Sequence, residues 1–328
     1  MNKYIFMTVF LGIFVVLALP LFADLPGNNY CTKSSDASYG QAYNNGKLTS
    51  VCNYGERCLV TGGIANCQKC QKTDGKLIVI ILAGNEYNKG FEGRFHRVAE
   101  EIKKIFDNDI PRVYGIKVQT YLFEAGENDY PPADCLGIIP PIGVALIHEK
   151  VTGQRFTDKI ANIYKSANSN DVVLFYYTGH GGKLSMVAYG KAWGLSYREV
   201  GINHVLGWII SSKAKKNIFV LSTCHSGSWV DYFRNSEELF HHRLDDKVVV
   251  VSSTRGDTLS CGSQNTAYTF TELLAKGDDI SFKSIMSKIP TKDSGYYKTG
   301  IFSKTRVINE LHMYANKGDY LFPDFCQE

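Results

Sequence analysis

Runs of consecutive apolar residues, rich in β-branched and aromatic side chains, recur along the chain from residue 76 onward. Because they lack the polar alternation of a half-exposed strand, they predict central strands of a parallel sheet covered on both faces. The predicted strands span 76–84, 116–123 and 247–253, and two more begin at Asp171 and Asn217. Helical spacing of apolar residues predicts helices over 95–106, 157–167, 197–210, 267–275, 282–289 and 306–314, and 183–194 predicts a small hairpin around Gly190.

Strands that alternate with helices in this way form right-handed βαβ units. Helices then cover both faces of the sheet. The pattern therefore predicts an α/β fold, a three-layer α/β/α sandwich with a mostly parallel sheet, occupying residues 76–328.

Two of the predicted strands end in reactive side chains next to glycine. The strand that starts at Asp171 leads to His180, which lies between Gly179 and Gly181, and the strand that starts at Asn217 leads to Cys224. The working groups of parallel sheets lie at the carboxyl ends of the strands, so we expect His180 and Cys224 to face one cleft. A lone cysteine or histidine is typical of a protein core, whereas the two together at the ends of two strands predict a catalytic site.

A cysteine hydrolase needs this pair. A thiol with a reference pKa of about 8.5 is mostly protonated at neutral pH, and an imidazole with a reference pKa of about 6.5 can accept its proton and later return one to a leaving amine. We assign these roles to Cys224 and His180. The backbone N–H groups of Gly181 and Cys224 form the candidate oxyanion hole. The serines and glycine at 226–228 can open a turn or helix whose positive end favours a thiolate.

Segments 177–182 and 222–228 resemble the His-Gly and Cys-His-Ser-Gly motifs of caspase-like (clan CD) cysteine peptidases, most closely the metacaspases. Legumain and the catalytic subunit of GPI transamidase share the same fold and motif order. The resemblance extends from about residue 76 to the carboxyl end. It implies a cysteine endopeptidase that cleaves protein or peptide substrates through a thioester acyl-enzyme.

The resemblance also suggests which residues bind substrate. The position two before the nucleophile is Gln in caspases and acidic in metacaspases and legumains, but here it is Ser222. Segment 253–262 resembles the caspase stretch that pairs with the substrate backbone, although Cys261 and Gly262 stand where Trp and Arg would be. We predict four substrate-binding residues, with Asp257 as the replacement for the missing acid: Arg94, Ser222, Asp257 and Ser260. For Arg94, a solvated charge at the start of a helix is the alternative.

The sequence predicts no cofactor from its own motifs. Metacaspases often depend on calcium, so the resemblance implies calcium, although no ligand loop identifies a site. Zinc at Cys67 and Cys70 would require a second ligand pair.

The amino terminus predicts export. Residues 1–23 combine a weakly basic start, an apolar stretch and a small residue at Ala23, which together predict a secretory signal cut after Ala23; an uncut anchor is the alternative. Residues 24–75 predict a polar, cysteine-rich module that disulfides would have to stabilise, or a pro-region that is removed for activation; its cysteines are Cys31, Cys52, Cys58, Cys67 and Cys70. We expect a secreted, endomembrane or lysosome-like location, with no stable membrane span after signal cleavage.

Composition narrows the function further. The 328-residue chain has a formal net charge of +4 and no block of Lys or Arg, which argues against a nucleic-acid partner.

Two other functions remain open. One is a catalytically altered caspase-like scaffold that displays the cysteine-rich module to an extracellular partner. The other is a transpeptidase or ligase of the legumain type, because an amine can take up a thioester as well as water can.

Overall fold

The computed structural model describes residues 30–32, 41–52, 56–61, 64–69, 74–84, 94–124, 156–189, 198–237, 244–259, 266–298, 304–316, 318–320 and 322–323. Among these residues, those up to position 69 form one compact unit and those from position 74 onward form a second.

The larger unit is built on a six-stranded sheet. Its strands are β6 (Lys76–Ala83), β7 (Lys117–Glu124), β8 (Val172–Thr178), β12 (Lys216–Ser222), β13 (Val248–Ser252) and β16 (His312–Ala315), in the spatial order β16-β13-β12-β8-β6-β7. Every pairing is parallel except that of β13 with β16. The predicted apolar strands are therefore confirmed as neighbours in a mostly parallel sheet.

Helices cover both faces of this sheet, as predicted for a three-layer sandwich. The first group is α1 (Arg94–Lys104), which continues through a π-helical turn (Ile105–Asp109) into α2 (Ile110–Tyr114), with α6 (Thr266–Lys276) and α7 (Phe282–Ser287). The second group is α3 (Phe156–Ser166), α4 (Ile202–Ser211) and α5 (Gly227–Asn235), whose apolar residues join one core cluster with alternate residues of β6, β8 and β12. All seven residues of β8 are buried, which explains its continuous apolar sequence.

A buried carboxylate ties together the strand ends opposite the candidate site. Asp171 is 1% exposed, and its side chain accepts hydrogen bonds from the backbone N–H groups of Lys76 at 3.0 Å and Asn168 at 2.9 Å. Its carbonyl accepts the N–H of Lys215 at 2.8 Å. One residue therefore connects the starts of β6, β8 and β12.

Two predicted helices are corrected by the structure. Residues 306–314 form β15 (Lys304–Asn309) and β16, because β13 has an open edge that β16 covers and β15 pairs with β14 (Lys292–Lys298). The helix predicted over 197–210 begins only at Ile202: β11 (Arg198–Gly201) precedes α4 and pairs with β10 (Ser185–Tyr189). In both places pairing with a distant strand outweighs local helical spacing.

The predicted hairpin is larger than the sequence suggested. A two-residue strand, β9 (Gly181–Gly182), pairs with β10, and β11 completes a three-stranded antiparallel sheet. The turn at Gly190 lies outside the described residues.

The smaller unit contains two small sheets. Strands β1 (Tyr30–Thr32), β2 (Gln41–Asn44) and β3 (Lys47–Val51) form one, and β4 (Glu56–Thr61) pairs with β5 (Ile64–Lys69) to form the other. A disulfide joins Cys52 to Cys67, and Cys58 is also disulfide-bonded. The predicted disulfide-stabilised module is consistent with these bonds, and Cys67 in a disulfide is not a zinc ligand.

Within the described part of the chain, no helix is both long enough and apolar enough to cross a bilayer. The predicted signal at 1–23 lies outside the described residues.

Replacing Asp171 with Ala should lower the free energy of unfolding by about 2–4 kcal/mol, because two backbone N–H groups lose their acceptor in a buried position. Urea denaturation measures this change. Asp278→Ala, which removes an exposed carboxylate of the same size, is the matched control and should change stability by less than about 0.5 kcal/mol. Equal effects for the two variants would contradict the assigned role of Asp171.

Candidate active site

Strand register brings His180 and Cys224 to equivalent positions. In the parallel pair β8–β12, Thr178 lies beside Ser222, so His180 and Cys224 each follow two residues after a paired position. The pairing continues past the strands, because Gly179 donates its N–H to the Ser222 carbonyl at 3.2 Å. Adjacent strands lie about 4.8 Å apart. The two segments that carry the candidate dyad therefore leave the sheet side by side, as the sequence predicted.

The His180 ring is held in a partly buried position. Phe95, in the first turn of α1, meets it edge-on, with ring centroids 5.2 Å apart and an interplanar angle of 89°. The Tyr177 hydroxyl donates to the His180 carbonyl. Burial lowers the pKa of His180 to about 4, so the imidazole is neutral at physiological pH. Phe95 was not recognised from the sequence, because its contact with His180 spans 85 positions and leaves no local pattern.

Gly181 packs tightly against the nucleophile strand. A Cβ atom there would lie 2.3 Å from Oγ1 of Thr223 and 2.7 Å from the carbonyl oxygen of Ser185. Thr223, which is 2% exposed, directly precedes Cys224. Only glycine fits here, and its backbone lies against the residue before the thiol.

Cys224 carries a reduced thiol on a partly exposed side chain. The chain turns sharply after it, since His225 has a φ of 55°, a left-handed conformation that is uncommon for non-glycine residues. His225 donates its N–H to the Thr258 carbonyl at 3.0 Å, and its Nδ1 lies 3.1 Å from the Gly256 carbonyl. Its ring therefore contacts the 253–259 loop. The helix predicted after the thiol is α5, which begins at Gly227.

The 253–259 loop contacts the turn at residues 224–227, which we call the nucleophile turn. Ser253 donates its N–H to the Leu221 carbonyl at 3.0 Å and to Oγ of Ser226 at 3.2 Å. A Cβ on Gly227 would lie 2.5–2.6 Å from backbone atoms of Gly256, Arg255 and Thr254. Backbone thus meets backbone between the two segments, and this contact fixes the position of the turn that carries Cys224.

Residues 141–291, which include both segments of the candidate dyad, match the family model described as the caspase domain. Over this segment, which is just under half of its length, the chain is similar to caspase domains. Its sheet, its two helical layers and the order of His180 before Cys224 agree with the expected resemblance. No curated protein matches the sequence.

Two solved structures are similar to the chain. Caspase-1 from Spodoptera frugiperda shares 8% identity with a TM-score of 0.43, over 74% of this chain and 88% of its own. A protein from Geobacter sulfurreducens shares 15% identity with a TM-score of 0.39, over 77% of this chain and 97% of its own. Both similarities are distant.

The predicted substrate-binding residues that the structure describes lie in different parts of the larger unit. Ser222 ends β12 and is 8% exposed, whereas Asp257 is an exposed residue of the 253–259 loop. Arg94 is the first residue of α1, and its side chain lies outside the described part of the structure. Ser260, Cys261 and Gly262 are outside it as well. The structure therefore brings Ser222 close to the dyad segments and positions Asp257 on the loop that supports them.

Backbone groups at the end of the described part of the 253–262 segment form hydrogen bonds within the protein. Leu259 donates its N–H to the Arg306 carbonyl at 3.0 Å and accepts the N–H of Ile308 at 3.2 Å. The Thr258 carbonyl is bonded to His225. The hairpin β14–β15 and the turn after Cys224 therefore already use these backbone groups of Thr258 and Leu259. Substrate contact by the 253–262 segment stays a prediction.

A cavity of 760 Å³ opens beside the dyad segments. Neither His180 nor Cys224 lines it, but the residues three and four positions after each of them do, together with residues along the length of α5, the 255–257 segment and His312. Its charges are largely paired: Arg255 Nε lies 2.7 Å from Glu310 Oε2, and Arg234 lies 3.5 Å from Asp231. The lining residues are Lys183, Leu184, Gly227, Ser228, Asp231, Tyr232, Arg234, Asn235, Ser236, Arg255, Gly256, Asp257 and His312.

The described residues contain no group of three or more His, Cys, Asp or Glu side chains that could hold a metal ion. Calcium dependence therefore stays an expectation from the resemblance.

The pKa of His180 predicts an acid-sensitive stability. The unfolded imidazole binds its proton near pH 6.5 and the folded one only near pH 4, so the unfolded state binds more protons between these values. Folding stability should fall as the pH drops from about 6.5 to about 4. His180→Gln should weaken this dependence, as measured by urea denaturation across the range. Parallel pH profiles for the two proteins would contradict the lowered pKa.

The backbone contact at Gly227 predicts a strong steric effect. Gly227→Ala should destabilise the protein by about 2 kcal/mol or more, because backbone atoms cannot move aside as a flexible side chain can. Gly207→Ala is the matched control: nothing lies within 4 Å of a Cβ there, and alanine should stabilise α4 by about 0.5–1 kcal/mol. Thermal unfolding measures both. Similar behaviour at the two positions would refute the proposed close packing of the nucleophile turn.

Proposed function

We propose that this protein is a cysteine endopeptidase in which Cys224 is the nucleophile and His180 the acid and base. The observation that carries the proposal is the placement of a reduced thiol and a neutral imidazole at equivalent positions beyond two adjacent parallel strands of a caspase-like domain. A cysteine-peptidase type of function agrees with the family match, and the residue roles are our proposal.

In the proposed reaction the Cys224 sulfur attacks the scissile carbonyl carbon as its proton passes to the His180 imidazole. The oxyanion that forms accepts hydrogen bonds from the N–H groups of Gly181 and Cys224. The imidazolium then protonates the amine nitrogen, the C–N bond breaks and a thioester remains. Water, deprotonated by His180, attacks the thioester, and the thiol leaves with the proton. A neutral imidazole in the free protein supports its role as the initial base.

Hydrogen bonds hold the nucleophile turn in place before any substrate binds. The loop at 253–259 holds the turn after Cys224, because Thr258 accepts the N–H of His225 and Ser253 donates its N–H to Oγ of Ser226. The positive end of the nine-residue helix α5 would favour a thiolate. Substrate therefore does not have to assemble this part of the site.

Protein or peptide substrates follow from the proposed chemistry, and we include the four residues predicted from the sequence as substrate contacts. Asp257 is an exposed carboxylate on the loop that supports the nucleophile turn, so it can meet a basic substrate side chain that Ser222 cannot bind. Arg94 and Ser260 are included on the sequence resemblance alone. The amino-terminal features support a secreted or endomembrane location for this activity.

Cleavage profiling with a peptide library tests the proposal directly. The wild-type protein should cut a defined subset of peptides, and Cys224→Ala and His180→Ala should each reduce the rate by at least about 10³-fold, because each removes a reacting group. A peptidyl electrophile should label Cys224 in the wild-type protein. Calcium and a chelator are compared in the same assay.

The other candidate functions give different results. A non-catalytic scaffold would cut no peptide and would show no selective labelling at Cys224. A transpeptidase would form more ligated product than hydrolysed product when an amine acceptor is added, and the Cys224→Ala protein would form neither.

A further inference from the structure

Ser228 connects the two segments that carry the candidate dyad. Its hydroxyl donates a hydrogen bond to the His225 carbonyl at 2.7 Å and accepts one from the Leu184 N–H at 3.0 Å. His225 follows Cys224 directly, and Leu184 lies four residues after His180. A single oxygen atom therefore bridges the nucleophile turn and the segment at residues 180–184, which we call the histidine loop. Ser228 and Leu184 are 44 residues apart in sequence.

The two residues that Ser228 bonds share an uncommon backbone conformation. Leu184 has a φ of 54° and His225 a φ of 55°. Among the described residues the only other non-glycine residue with a positive φ is Asn45, in a turn of the smaller unit, and asparagine tolerates this region well. Such conformations cost free energy and persist only where the surroundings hold them, which is typical of functional sites.

A serine in a helix often donates its hydroxyl to a backbone carbonyl three or four residues earlier without any functional role. Ser211 of α4 shows the ordinary case: its hydroxyl donates to the Trp208 carbonyl three residues earlier, at 3.0 Å. Ser228 makes the same local bond to His225 but also accepts an N–H from a distant loop. This second bond distinguishes Ser228 from a serine that only caps its own helix.

We infer that Ser228 is a positioning residue for the proposed reaction, holding the histidine loop and the nucleophile turn at a fixed separation. The inference rests on the proposed peptidase function. Ser228 does not take part in proton transfer or bond formation; it sets the geometry in which His180 and Cys224 do so. The hydroxyl suits this role because it donates and accepts at once, which an alanine cannot do.

Three substitutions test the inference: Ser228→Ala removes the bridge, Ser228→Thr retains the hydroxyl, and Ser211→Ala removes the matched local bond far from the site. Ser228→Ala should lower kcat roughly 10- to 100-fold, because small displacements of reacting groups have effects of this size, while KM changes less than about twofold. Ser228→Thr should restore most of kcat. Ser211→Ala should leave kcat within about twofold of the wild-type value.

Two measurements accompany the kinetics. Thermal unfolding shows whether each variant is folded, and the rate of Cys224 alkylation by iodoacetamide reports on the thiol without requiring peptidase activity. Should Ser228→Ala not fold, Ser228→Cys takes its place in the kinetics, because a thiol of similar size is only a weak donor and acceptor. Alkylation in that variant is then followed at Cys224 by mass spectrometry, because the new thiol also reacts with iodoacetamide.

The inference is overturned if Ser228→Ala retains kcat within about twofold of wild type, if Ser228→Thr does not restore the loss, or if Ser211→Ala loses as much. Failure of the proposed function has a separate signature, namely a wild-type protein that cleaves no peptide. In that case the alkylation rate decides: a rate altered in Ser228→Ala but not in Ser228→Thr or Ser211→Ala supports the positioning role, and an unaltered rate rejects it.

Discussion

The parallel pairing of β8 with β12 is the constraint on which the candidate site depends. Both strands are buried on both faces, so a slip of register by one residue would turn every side chain toward the wrong layer of helices. The core on each face therefore fixes Thr178 beside Ser222, and this pairing fixes where each strand ends. Packing far from the site thus determines that the imidazole and the thiol leave the sheet at the same level.

Strand pairing alone cannot fix the conformation of the segments that continue beyond the sheet. The 253–259 loop does this for the nucleophile turn. It bonds the backbone of β12 at Leu221 and that of the nucleophile turn at His225, and it packs against Gly227 with no side chain between the two segments. The loop is itself held at Leu259 by β15 and at Ser253 by the Glu310 N–H. Hydrogen bonds between segments far apart in sequence therefore connect the carboxyl-terminal strands to the candidate nucleophile.

The sequence was sufficient for the parts of the fold whose local pattern agrees with their final environment. The strands before His180 and Cys224 are apolar throughout because both faces are buried, and this signal is local. The strand β16 was missed because Val307, Leu311 and Tyr314 have helical spacing, whereas the open edge of β13 that recruits β16 is formed 60 residues earlier. Phe95 and the supporting loop were missed for the same reason, since each acts through contacts that exist only after folding.

Each residue of the motif at 224–228 has a different structural role. Cys224 supplies the reactive atom, His225 supplies backbone groups in a left-handed turn, and Gly227 supplies the space in which the supporting loop fits. Ser226 and Ser228 supply hydroxyls that bond to two different neighbouring segments. Only the thiol is reactive in the proposed reaction, so the remaining residues are constrained by geometry. Two residues in a left-handed conformation that are joined by one hydroxyl are typical of a functional site, where the surrounding structure holds such conformations in place.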